Sequence, residues 1–86
     1  MITITDCIAL SGLTEKEVDA IAQHEHVPEI VAAELGCCLE ATTEGQHCIL
    51  EMIEDDIAAE RAAGHPHRAA ALRATWRRYQ RLHMAE

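Results

Sequence analysis

The sequence predicts an all-α protein, a compact bundle of four helices behind a short extended N-terminal arm. Three observations predict it. Apolar residues recur at three-and-four spacing through most of the chain, the period of a helix with one buried face. Capping residues, prolines and glycine punctuate that pattern where helices would start and stop. Hydrophobic residues make up 49% of the 86 positions, too many for a disordered chain, and the length permits one core only. Residues 1–13 form the arm and residues 14–86 a single helical domain.

The opening MITITDCIAL alternates apolar and polar residues around Ile2 and Ile4, a strand period, but it is too short to make a sheet. SGLTEKEV then carries a start signal. Thr14 and Glu17 form a capping box, with Leu13 and Val18 at the two positions of a hydrophobic staple. Helix one is expected over about 15–25, with Val18, Ile21 and Ala22 inward. Pro28 pushes Val27 out of the α region and suits the first turn of a new helix. Helix two is expected over about 28–41, with Val31, Leu35, Cys38 and Leu39 facing the core and Gly36 permitting a close helix neighbour. A turn at ATTEGQH and a second box, Thr43 with Gln46, start helix three over about 44–63, with Ile49, Met52, Ile53 and Ile57 inward. Gly64 suits the position just past its end, and Pro66 opens helix four over about 66–84. There Ala69, Leu72, Trp76, Tyr79 and His83 share one face.

The apolar stock is thin. Fifteen residues are alanine, phenylalanine is absent, and Trp76 and Tyr79 are the only aromatics. A domain of this size buries only ~60–65% of its chain surface, so self-association would strengthen it. The reading is a homo-oligomer, with a dimer favoured, or a module that docks to a protein partner through the apolar faces of helices two to four. Leu35, Leu39, Met52, Trp76 and Tyr79 are the candidate interface residues. No run reaches the ~20 apolar residues of a membrane span, and a signal-peptide pattern is missing from the start. A soluble, cytoplasmic protein is expected, with Cys7, Cys37, Cys38 and Cys48 as thiols.

The HEHVPEIVAAELG stretch, His24 to Gly36, resembles small functionally uncharacterised bacterial helical proteins that carry an HEHxPEIVAAELG segment, and the likeness extends through EDDIAAERAAG. The resemblance implies a compact helical unit and transfers no site.

Several constellations bear on chemistry. An antiparallel hairpin of helices two and three would place Cys38 opposite Cys48, with Cys37 and His47 beside them, ligands suited to zinc or copper. Adjacent Cys37 and Cys38 diverge by ~100° on a helix, so one metal would hardly use both, and Cys38 reads as a small core residue or a redox partner of Cys48. Glu44, His47, Glu51 and Asp55 form a stripe whose ExxH pair is the unit of di-iron bundles, though a dimer would be needed to complete such an iron site. The plainer reading is an acidic face. Residues 1–60 carry fourteen acids against Lys16, and residues 61–86 carry six arginines against Glu86. Arg73, Arg77 and Arg81 recur every four residues, so a ladder from Arg73 to Asp55 and Asp56 is expected to join helix four to helix three. WRRYQRLH has arginines and aromatics that nucleic acids use, but the acidic helices would repel a polyanion. His24 with His26, and His65 with His67, sit at predicted junctions beside proline, and the preference of protonated histidine for a helix C-terminus accounts for His24 and His26 without a metal. No nucleophile elbow, phosphate loop or HExxH motif occurs. The sequence therefore reads as an accessory module without catalysis of its own, with the metal or thiol-redox protein as the alternative.

Overall fold

The structure, a computed structural model, describes residues 13–83. They form four helices: α1 (Glu15–Glu25), α2 (Glu29–Glu40), α3 (Thr43–Ala62) and α4 (Pro66–His83). Of the expected arm only Leu13 falls within this range, and it belongs to the buried core. The alternation at Ile2 and Ile4 lies outside the described residues.

The helix boundaries follow from local chemistry. The Thr14 N–H donates to Glu17 Oε1 at 2.9 Å, and the Glu17 N–H donates to Thr14 Oγ1 at 3.3 Å, a complete capping box. Leu13 and Val18, the staple residues, are both buried. α1 ends at His26, whose φ of 57° is left-handed. The Val27 N–H then reaches back to the Ala22 carbonyl at 3.2 Å, the six-to-one bond of a Schellman ending. Pro28 follows in an extended conformation as the N-cap of α2, one position earlier than the first-turn role expected of it. It has no N–H to lose there, and its carbonyl accepts from Ala32 N–H at 3.0 Å.

The α2–α3 junction also differs from expectation by one residue. Thr42, not Thr43, caps α3 by accepting from Gly45 N–H at 2.9 Å. Gln46 donates instead to the Glu40 carbonyl at 3.0 Å, tying α3 to the end of α2. Gly45 accounts for the shift. It lies so close to Leu39 that a Cβ would overlap the Leu39 carbonyl, so the tightest point of the turn must carry glycine. α3 ends as expected at Gly64, with φ of 78°. His65 N–H bonds to the Glu60 carbonyl at 2.8 Å and Gly64 N–H to the Arg61 carbonyl at 3.1 Å, both bonds of a Schellman motif.

The core joins Val18 and Ile21 of α1, Ala32 and Ala33 of α2, Ile49 and Ile53 of α3, and Tyr79 of α4. The face that α2 buries is a correction. Ala32, Ala33 and Gly36 point inward, Leu35 and Leu39 pack from the edges, and Val31 and Cys38 are exposed. The cause is close packing. A Cβ on Gly36 would overlap Leu13 and come within 3.1 Å of Ile21 Cδ1, so α2 meets α1 through its smallest residues and turns its larger ones away.

α3 packs against each of the other helices, most extensively α4. The Cα trace spans 39 × 32 × 16 Å, and the short dimension corresponds to about two layers of helix. In such a thin arrangement α4 is covered on one side. It fully buries only Ala69, Thr75 and Tyr79. No described helix is long and apolar enough to cross a membrane.

Candidate functional site: the furrow between α3 and α4

The uncovered side of the α3–α4 hairpin is a furrow made of three adjoining cavities. The central one, about 280 Å³, is lined by Glu54, Ile57, Arg73, Trp76 and Arg77. Beyond Glu54 and Trp76 it continues into a space of about 410 Å³ bounded by His47, Leu50, Glu51 and Gln80. In the other direction Arg73 leads to a hollow of about 180 Å³ beside Arg61, Pro66 and Ala69. Helical spacing produces this arrangement. Leu50, Glu54, Ile57 and Arg61 repeat at three and four along α3, as do Arg73, Trp76, Arg77 and Gln80 along α4. The floor is apolar, with Leu50, Ile57 and Trp76. One wall carries Glu51 and Glu54, the other Arg73 and Arg77.

The expected arginine ladder does not form. Among the described residues no arginine lies within ion-pair distance of a carboxylate, so Arg73, Arg77 and Arg81 pair with neither Asp55 nor Asp56. These two acids face elsewhere. Asp55, Asp56 and Glu60 turn toward α1, where histidines and a glutamine meet them. His24 Nε2 lies 2.9 Å from Asp55 Oδ2, and its Nδ1 lies 2.6 Å from Glu25. Gln23 donates to Glu60 Oε1 at 3.0 Å, while His65 Nδ1 lies 2.8 Å from the other oxygen of Glu60. At the far end His83 Nδ1 sits 2.5 Å from Glu40. Of the junction histidines His24 joins α1 to α3 through Asp55, a role its helix-end reading did not include, and His65 folds back on Glu60 of the helix it follows.

The Asp56 carboxyl is the unusual member of this band. It is 3% exposed, and its Oδ2 has no hydrogen-bond partner. Burial pushes its pKa up to about 6; Asp55 and Glu60 add to the rise, and His24 opposes it. The His24 pKa is raised, chiefly by its hydrogen bond to Asp55 and, to a lesser degree, by Glu25. The Glu40 carboxyl is also raised by burial, against the nearby His83. A sequence signal for Asp56 existed: it continues the buried stripe Ile49, Ile53, Asp56, Glu60 at helical spacing.

The remaining candidate residues are dispersed. Cys37, Cys38 and Cys48 are exposed free thiols, so the reading of Cys38 as a core residue facing α3 is overturned. Glu44, His47 and Glu51 are exposed on α3. Among the described residues no three of His, Cys, Asp and Glu come together as a metal site requires. Of the candidate interface residues, Leu35, Leu39, Met52 and Trp76 are half-buried against the core. Tyr79 is fully buried and stacks on His83, with ring centroids 4.2 Å apart and planes at 23°. Its side chain is a core element, unavailable to a partner. The furrow thus presents an apolar floor of Leu50, Ile57 and Trp76 between one wall with Glu51 and Glu54 and another with Arg73 and Arg77. No family model, curated protein or solved structure matches the chain.

Proposed function

We propose that this protein is a small cytosolic helical module that acts by associating with another polypeptide surface, first of all a second copy of itself, and has no catalytic activity of its own. The observation that carries the reading is the α3–α4 furrow, where Trp76 is left half-covered between Glu54 and the unpaired Arg73 and Arg77. Aromatic and arginine side chains around an apolar centre are the usual anchors of protein interfaces. An alanine-rich core in a chain of this size also gains stability when further surface is covered. Exposed Cys37, Cys38 and Cys48 suit a reducing compartment, where they stay as thiols. A nucleic-acid role is disfavoured because Tyr79 is buried and cannot stack on a base.

Size-exclusion chromatography with light scattering tests the proposal on the whole chain. The expected mass is about twice the 9.5 kDa of one chain, falling toward one chain on dilution. A mass of one chain at every concentration, with a sharp unfolding transition at high temperature, would remove self-association.

A further inference from the structure

We infer that the second copy seats furrow to furrow, about a two-fold axis parallel to α3 and α4, so that the Glu54 wall of each copy lies over the Arg73–Arg77 wall of the other. The inference rests on the self-association reading and specifies its geometry. Two face-to-face arrangements of a pair of antiparallel helices are isologous. With the axis across the helices, α3 lies over α3 and α4 over α4, setting acid on acid and arginine on arginine. With the axis along them, α3 lies over α4, so Glu51 and Glu54 lie over the wall of Arg73 and Arg77, with Arg61 standing at the far end of the acidic wall. Glu54 is level with Arg73 and Arg77 within one chain, since all three line the same cavity. A rotation about the long axis preserves that level, so Glu54 of one copy meets the arginines of the other without any slip.

Among the described residues nothing satisfies these groups. Arg73 and Arg77 are exposed, and no described carboxylate pairs with them. The same rotation brings the two Trp76 rings together over the floor, turning two half-covered hairpins into an intermolecular layer of four helices. The exposed apolar face of α2 fits a second copy less well. α2 exposes Ile30 at 39% and Val31 at 43%, yet its only charged residues are Glu29, Glu34 and Glu40. Self-pairing through α2 would set acid against acid.

A charge exchange between two variants tests the geometry. Glu54→Arg places arginine against arginine at both symmetric contacts of its homodimer, and Arg77→Glu places glutamate against glutamate. Each variant alone is expected to self-associate at least about ten-fold more weakly than the natural chain, since like charges across an interface repel strongly. Mixed together, the two variants regain both opposite-charge contacts, and affinity is expected to return to within about three-fold of the natural chain. Both positions are exposed and unpaired, so helical content by circular dichroism should be unchanged. If Arg77→Glu loses it, Arg73→Glu on the same wall takes its place. A natural chain that dimerises while neither exchange weakens it overturns this geometry and leaves self-association standing. Weakening without recovery in the mixture also overturns the two-fold pairing. A natural chain still monomeric at about 1 mM removes both readings.

Discussion

Asp56 is a carboxylic acid placed where the helical pattern calls for an isoleucine, and its burial has a pH consequence with a definite sign. The folded protein holds the Asp56 proton up to about pH 6, whereas an unfolded chain releases it near the ordinary aspartate value of about 3.9. The folded state therefore binds more protons between these values, and stability falls as pH rises through them. His24 acts in the same direction. Its raised pKa gives stability that is present below about pH 6.5 and is lost as pH climbs through the folded value. Asp56→Asn should accordingly raise stability at pH 8 by up to about 3 kcal/mol, the equivalent of a two-unit shift, and leave it unchanged below about pH 4. Urea unfolding of both proteins at the two pH values checks this; equal stabilities at pH 8 would mean that the buried carboxyl carries no ionisation cost. Gly45 supports a second prediction. Gly45→Ala should destabilise by about 1–3 kcal/mol, the range for forcing atoms into a packed site, because the added Cβ meets the backbone of Leu39. The close contact was not legible from sequence, since a glycine in a turn normally indicates freedom of φ, and Gly45 is an ordinary helical residue selected for its lack of a side chain.

Helix ends were the most legible part of the fold, because caps act over three to five residues and depend little on the rest of the chain. The Thr14–Glu17 box starts α1 and the Gly64 ending closes α3 where residue chemistry puts them. Thr14→Ala should cost about 1 kcal/mol, read as a lower urea midpoint with unchanged slope; a changed slope would indicate loss of more than a cap. Helix facing was less legible. The rule that larger apolar residues point inward fails on α2, where Gly36 and two alanines make the contact and leave Val31 and Cys38 outside. The failure has a physical basis, since two helices approach most closely through their smallest residues. The arginine ladder failed for a related reason. Spacing placed Arg73 and Arg77 beside α3, but the α3 residues on that side are Glu54 and Ile57, while Asp55 and Asp56 are one helical step round, facing α1. A charge count records how many opposite groups exist and says nothing about which wall they occupy.

At the scale of the whole molecule, the opposite charge blocks and the thin core belong to one account. Among the described residues Asp55 and Glu60 are met by His24 and His65, while the arginines of α4 pair with no carboxylate. A two-layer molecule 16 Å across in its Cα trace has little interior of its own, and a second copy on the α3–α4 side would double the depth of packing there. Alanine content and length raised association only as an expectation; the furrow was not legible at all, because it depends on α4 being covered from one side only. The most direct measurement uses the unmodified chain and its single tryptophan: sedimentation velocity and fluorescence emission recorded together through a dilution series. Furrow-to-furrow association makes the sedimentation coefficient fall from a dimer to a monomer value as the Trp76 emission moves to longer wavelength over the same concentrations. One sedimentation coefficient at every concentration, or dissociation with an unchanged Trp76 spectrum, would contradict it.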